Sequence, residues 1–457
     1  MSQSTNKSLL LAQDRLNTQL SFLNGGSTQE PEILIKEEKN TGVITFNRPK
    51  QLNAFSLDMF TATLISLEAF ESSGHVNMIH LQGKGRAFGS GVDIRDILQI
   101  VTDPLRKSEF DYRLPIAYNL IYFIGTMKTP VISFMDGITI GGTCCSSALS
   151  HFSIATENTR LSFPETRFGH FCDAGASFFL SRLNGNIGKY LALTSKPLSA
   201  EDVLFSGIAT HFVPSNQLIA LKNSLVNLDC PSKETINRTI EQFAVKPGHI
   251  ATSYTLFGER RDIINRCFQF NTVAKILEAL KKEGSKFSLE TIDQISQGSP
   301  ISVALTLENI RRGSSLSLEQ CIRMEFKPWQ IVPFEDDFRN GILSTIRKGK
   351  EPRWSRKDCY AVNFEKDILG RYFNTEAKET LKLTSNNEDR YFTTQGRRFG
   401  LPTEGEVKRA KQGNNLDSDE SIVAWFINQR NNKYGIREEV EEILARERKK
   451  NITSIIT

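Results

Sequence analysis

Hydrophobic and polar positions begin to alternate at Glu32. The run EILIKEEKNTGVITFNRP holds two short alternating stretches split by Asn40-Thr41-Gly42, which predicts a β-hairpin whose second strand ends at Pro49. The period then lengthens: Ser56-Leu57-Asp58 opens an amphipathic helix with Met59, Phe60, Leu64 and Leu67 on one face, and Ser56 stands where an N-cap belongs. Residues 76–81 read as the next strand. QGKGRAFGSGVDIRDI follows, a loop with closely spaced glycines and Asp93 opening a helix. A helix over 113–127 leads into the strand PVISFMD and then into DGITIGGTCCSSALSHFSIATENTRLSFPETRFGHFCD at 136–173. That stretch repeats the order: a glycine turn, a small-residue helix, two short strand-like runs. Either glycine loop alone is an ordinary strand-to-helix connection. Strand, glycine loop and helix occurring twice predict an α/β fold with parallel strands, in which ligands collect at the carboxyl ends of the strands.

Beyond Asp173, AGASFFLSRL, NGNIGKYLALT and SAEDVLFSGIATHFVPSNQL predict helices with a short strand at 209–213. Residues 230–371 are largely helical by their three-to-four-residue apolar spacing, as in TVAKILEALKKEG and PISVALTLENIRRG. The pattern divides the chain into an N-terminal segment (1–31), an α/β core (32–229), a helical part (230–373) and a basic extension (374–457). The extension has few large apolar residues and carries the clusters Arg397-Arg398, Lys408-Arg409-Lys411 and 446–450. Within it, 437–448 predicts a helix with acids early and bases late, as the helix dipole favours. Two readings stand for this segment: a solvated tail, or an arm docking on nucleic acid or protein with Trp425, Phe426 and Tyr434 as anchors.

Composition narrows the classes. With 457 residues, 39% hydrophobic and 24% charged, the chain has room for two domains or for one with large extensions. No apolar run approaches the roughly 20 residues of a membrane helix, so a soluble protein is expected. The net charge of +5 is mild for this length and does not by itself argue for nucleic acid. Seven cysteines without a CxxC fit a reducing compartment, not a disulfide framework or a zinc site. The first 26 residues are rich in Ser, Thr, Asn and Leu, with Lys7 and Arg15 against the single acid Asp14. They fit either a mitochondrial transit peptide or a loosely docked helix.

The candidate chemistry lies in 136–173. Gly141 and Gly142, before a helix, can offer backbone N–H groups to developing negative charge. Glu165 and Asp173 could act as acid, base or nucleophile, although a Glu after Pro and an Asp in a loop are equally ordinary surface residues. The six histidines lie in unrelated contexts. His170, between the two acids, reads as a pocket-wall residue and not as a base.

NRPKQLNAF, RAFGSGVDI, PVISFMDGITIGG, FPETRFGHFCDAG, FLSRLNG and GIATHFV, in this order, resemble the 3-hydroxyisobutyryl-CoA hydrolase branch of the crotonase (enoyl-CoA hydratase/isomerase) superfamily, and MEF, DDFRNG and EPRW extend the resemblance. It implies a fold of stacked ββα turns with a helical C-terminal region. It implies hydrolysis of an acyl-CoA thioester in valine breakdown, with coenzyme A arriving as part of the substrate and no metal or redox cofactor. The backbone N–H groups of Val92 and Gly142 would polarise the thioester carbonyl, Glu165 would attack it or activate water, and Asp173 would lie near the substrate hydroxyl. Ala87, Gly91, Asp93, Gly141 and Thr143 would surround the bound acyl-CoA. The chain departs from the family pattern at several places. Ala117 stands where the family has a further glutamate, Thr143-Cys144-Cys145 adds side chains to a glycine-rich helix start, and Val92 adds bulk beside the acyl-CoA. Cys172 replaces Pro, and Asn340-Gly341 replaces Glu-Gly. These changes imply relaxed selection or a changed substrate. RYFTTQGRRFGLPTEGEV resembles the extension of homologues integrated into the small subunit of the mitochondrial ribosome. That likeness implies a matrix location, with ribosomal proteins and rRNA as partners of 374–457. The alternatives are a purely structural ribosomal protein and a hydratase or isomerase.

Overall fold

The computed structural model describes residues 30–249, 251, 254–347, 351–375, 381–384, 399–414, 416 and 418–456. The N-terminal segment up to residue 29 and the Arg397-Arg398 cluster lie outside the described residues. The predicted hairpin is formed by β1 (Ile33–Glu38) and β2 (Thr41–Phe46), which pair antiparallel around Lys39-Asn40. Helix α1 (Leu57–Ser72) starts at Ser56, whose hydroxyl accepts the Met59 N–H at 3.2 Å, and buries Met59, Leu64 and Leu67.

Three strand pairs then repeat one geometry. β3 (Met78–Gly83), β5 (Val131–Met135) and β7 (Phe152–Ala155) join a six-stranded sheet of order β1-β2-β3-β5-β7-β10, with β10 at His211–Phe212. Each runs on into a short strand of a second sheet: β4 (Ala87–Gly89), β6 (Ile138–Ile140) and β8 (Arg160–Ser162), completed by β9 (Leu198–Ser199). β2, β3, β5 and β7 are parallel, as are β4, β6 and β8. Helices follow β4 and β6: α2 (Ile94–Thr102) with α3 (Lys107–Thr126), and α4 (Gly142–Leu149). These are the stacked ββα turns expected from the resemblance. Helix α3 begins about two turns earlier than the sequence pattern indicated. Because successive turns lie side by side, the two glycine loops emerge next to one another, Ala87 facing Ile138 across the β4–β6 pair.

Between Lys233 and Ile346 the described residues are largely helical, as expected, and wrap the sheets. One apolar core runs from Ile33 to Leu444, so the α/β part, the helical part and the described part of the extension share it. The extension is not a solvated tail where it is described. Helices Glu404–Gly413, Asp419–Gln429 and Ile436–Ile456 pack on the body. Phe399 stacks on Phe152 of β7 at 5.0 Å, Lys433 pairs with Glu241 at 2.9 Å, and the Asn184 amide donates to Glu439 at 2.8 Å. Two of the three proposed anchors, Phe426 and Tyr434, are spent on this internal contact, being 2% and 3% exposed. Trp425 lies edge-on against Phe426. The few apolar residues of the extension fall on one face of each helix, and burying them outweighs leaving a sparse, charged segment in water. Among the described residues no helix is long and apolar enough to cross a membrane.

Candidate active site

One cleft collects most of the candidate residues. Gly91, Val92, Gly141, Gly142, Thr143, Glu165 and Asp173 all line it. Gly91 and Gly141 have φ of 77° and 62°, a region that side chains disfavour. A Cβ on Gly91 would lie 3.4 Å from the Gly142 nitrogen, so the two loops are in van der Waals contact. Among the described residues the N–H groups of Val92 and Gly142 meet no acceptor, whereas the flanking groups are used: Phe55 N–H donates to Gly91 O and Asp93 N–H to Phe55 O, both at 2.8 Å. Gly142 also opens α4, where the helix dipole adds positive potential. Two unspent donors at adjoining turns are the kind of group that can stabilise developing negative charge without side chains.

Glu165 is brought to this site by a single 3-10 turn, Glu165–Phe168, that begins after Pro164 and ends at Gly169 in the left-handed conformation. Its carboxylate lies directly beside the second glycine turn, since a Cβ on Gly141 would stand 3.2 Å from Oε1. Burial raises the Glu165 carboxyl to about 8, and charge on Asp173 adds to the rise. Cys172, at the position where the family keeps Pro, donates its thiol to Glu165 Oε2 at 3.4 Å.

Asp173 accepts the Tyr118 hydroxyl at 2.9 Å and a hydrogen bond from the Trp329 side chain. Burial pushes it up to about 7 against the pull of these two donors. The chain then turns through Ala174 and Gly175, both at positive φ. For Ala174 that conformation costs on the order of 1 kcal/mol. The turn is held from outside: Glu325 accepts Gly175 N–H at 2.6 Å and Ser177 N–H at 2.8 Å. Burial raises Glu325 to about 8, with Asp173 adding to the rise and the Ser177 and Gly175 hydrogen bonds opposing it. Glu325 thus fixes the backbone that aims Asp173.

The His170 ring lines the cleft, packed edge-on against Trp329 at 4.8 Å. Its Nδ1 accepts the Phe171 N–H at 2.8 Å, which leaves the ring proton on Nε2. Burial lowers its pKa to about 3. With one lone pair engaged and the other nitrogen protonated, the ring has no basic site to offer, and the two carboxyls are the candidate bases.

The side chains added at the start of α4 are engaged by backbone carbonyls, and of the three only Thr143 lines the cleft. Thr143 donates to Gly89 O and Ile140 O at 2.9 and 2.8 Å. The Cys144 thiol donates to Thr139 O at 3.2 Å and the Cys145 thiol to Asp173 O at 3.3 Å, and neither cysteine lines the cleft. Ala117 does line it, next to Tyr118. Ala87 and Asp93 stand apart from the lining: Ala87 is buried in β4, and Asp93 pairs with Arg48 at 3.1 Å while capping α2. Sequence reasoning missed Tyr118, Trp329 and Glu325 as parts of the site. The MEF piece, which contains Glu325, and the alignment of a family glutamate with Ala117, next to Tyr118, were the signals the sequence carried for two of them.

Comparison with known proteins gives the family and the fold. Residues 41–373 match the enoyl-CoA hydratase/isomerase family. Human mitochondrial 3-hydroxyisobutyryl-CoA hydrolase is 36% identical over 354 residues, covering 77% of this chain and 91% of the human protein. An Arabidopsis thaliana protein described as probable 3-hydroxyisobutyryl-CoA hydrolase 2 is 35% identical, over 78% of this chain and 96% of its own length. Among solved structures, a carnitinyl-CoA dehydratase from Mycobacterium thermoresistibile superposes with a TM-score of 0.70 at 27% identity, covering 77% of this chain and 99% of its own.

Proposed function

The chain belongs to the enoyl-CoA hydratase/isomerase family, and from that premise we propose that it hydrolyses an acyl-CoA thioester of the 3-hydroxyisobutyryl type. The observation that carries this reading is the contact of Glu165 with the Gly141-Gly142 turn, which sets a carboxylate beside two unspent backbone donors. The thioester oxygen would lie between the N–H groups of Val92 and Gly142, where the negative charge of the tetrahedral intermediate develops. Glu165, once ionised, attacks the carbonyl carbon or takes a proton from the water that does. The carbon–sulfur bond breaks, coenzyme A leaves as the thiol, and the acid product gains the oxygen of water. Asp173, held by Tyr118 and Trp329, lies in the same cleft to receive a hydroxyl of the acyl group. A hydratase or isomerase is the alternative on the same site. The identity to proteins described as hydrolases favours hydrolysis. Purified protein should release free coenzyme A from 3-hydroxyisobutyryl-CoA, and Glu165→Gln should abolish the release. Equal rates in the two proteins would refute the reading.

The names of the relatives support a mitochondrial location, and we place the protein in the matrix. A second role, as a component of the mitochondrial small ribosomal subunit, is favoured by one surface. Helix Glu404–Gly413 buries Val407 and Ala410 against the body and turns Lys408, Arg409 and Lys411 to solvent. Reversing these three charges should release the protein from small-subunit particles in a sucrose gradient. Unchanged co-sedimentation would refute that surface as the contact. Deleting the whole extension is the poorer test, because it strips a packed layer from the core.

A further inference from the structure

The two oxygens of Glu165 face different neighbours. Oε1 lies beside the Gly141-Gly142 turn, and Oε2 lies 3.4 Å from the Cys172 thiol. Cys172 is fully buried and stands behind the cleft, not in its lining. A second acceptor for the thiol, Ala192 O on the helix Ile187–Thr194, is more distant at 3.9 Å. The backbone N–H of Cys172 donates to Thr306 Oγ1 at 3.2 Å, on the helix Pro300–Gly313. A proline at this position would have neither the N–H nor the thiol. Cys172 thus ties the turn that carries Glu165 to the segment that carries Asp173, the next residue in the chain.

The groups packed around Glu165 oppose one another. Burial and the charge on Asp173 work against its ionisation, while its own backbone N–H and the Cys172 thiol favour it. The Cys144 and Cys145 thiols of α4 are kept protonated by burial, with the Glu165 charge adding to the effect, and His170 is neutral above about pH 3. Burial, with the same Glu165 charge, pushes the Cys172 thiol well above its ordinary range, so it keeps its proton and remains a donor.

We propose that Cys172 is a positioning residue for Glu165: its thiol donates to Oε2 of the ionised carboxylate, which fixes the carboxylate plane and leaves Oε1, on the side of the Gly141-Gly142 turn, as the oxygen that attacks or takes the proton. This inference rests on the reading of Glu165 as nucleophile or base, but its first two tests need no turnover.

The ionisation of Glu165 is followed by carbon-13 titration of the full chain labelled at its glutamate carboxyls, the signal being identified by its loss in E165Q. A thiol is a weak donor, but its acceptor here is charged, so Cys172→Ala should move the inflection up by about half a pH unit or more. In the unaltered protein an infrared S–H band should move to lower frequency as pH rises through about 8, the thiol turning from Ala192 O to the new charge. That movement should be absent in E165Q and in C172A. A structural role alone would leave both readouts still. An inflection unmoved in C172A, or an S–H band indifferent to pH in the unaltered protein, overturns the proposal, and the band decides the matter with E165Q even if C172A does not fold. The kcat/KM of C172A for 3-hydroxyisobutyryl-CoA should show the same upward shift. If the titration and the band behave as expected while the unaltered protein releases no coenzyme A, the hydrolase reading falls and the hold of Cys172 on Glu165 stands.

Discussion

The proposed hydrolysis waits on the ionisation of Glu165. Burial, with charge on Asp173, raises its carboxyl to about 8. A nucleophile or base acts only in its ionised form. At pH 7 about one molecule in ten is then competent, and at pH 9 about nine in ten. The kcat/KM for 3-hydroxyisobutyryl-CoA, followed as loss of thioester absorbance with an enzyme-free blank subtracted, should climb about tenfold between those two values. Glu165→Gln should remove the climb and lower the rate by roughly 10²–10⁴-fold, the usual worth of a positioned base. Asp173→Asn deletes the neighbouring charge that raises Glu165, so the inflection of its residual activity should move to lower pH. A flat profile in the unaltered protein, or a climb that survives in E165Q, would sink the assignment.

The buried carboxyls should also set how stability depends on pH. Glu165, Asp173 and Glu325 rise to about 8, 7 and 8 on folding. Their contribution is complete below the ordinary carboxylate range and is lost as pH rises through 7 to 8, by up to about 1.4 kcal/mol per pH unit for each group. Urea midpoints should fall accordingly from acid to mildly basic pH, and fall less in E165Q. Tyr118→Phe removes a hydrogen bond to a buried carboxylate, worth about 1.5–3 kcal/mol. A carbon-13 titration of Asp173 should show its inflection moving up, and an unmoved inflection would count against the contact. Gly141→Ala forces a side chain to φ 62° and ψ −136°, with its Cβ 3.2 Å from Glu165 Oε1. It should cost about 1–3 kcal/mol in thermal unfolding and most of the activity. Lys433→Met takes one of two partners from Glu241, His211 at 2.9 Å remaining, at about 1.5–3 kcal/mol, and should expose the extension to limited proteolysis while the body stays resistant.

Much of the molecule was legible in the sequence because its signals are local. Alternation placed β1 and β2, Ser56 placed the start of α1, and glycines followed by helix starts placed the two loops whose N–H groups are the proposed oxyanion donors. Glu165 and Asp173 were named from the resemblance, since spacing alone did not separate them from surface acids. What tertiary structure decided depends on pairs distant in the chain. Glu325 reaches Gly175 across 150 residues and Tyr118 reaches Asp173 across 55, and a carboxylate's desolvation depends on everything packed around it. For that reason the weakened acidities of Glu165 and Asp173 could not be read from their neighbours in sequence. The same holds for Cys144 and Cys145, which looked like obstructions until the fold turned their thiols to backbone carbonyls. It holds as well for the extension, whose sparse apolar residues resembled a solvated tail and found a matching surface only once β7 and its neighbours had formed. Sequence by itself determined where the backbone turns and which residues carry charge. The fold decided which of those charges meet, and how little water they meet in.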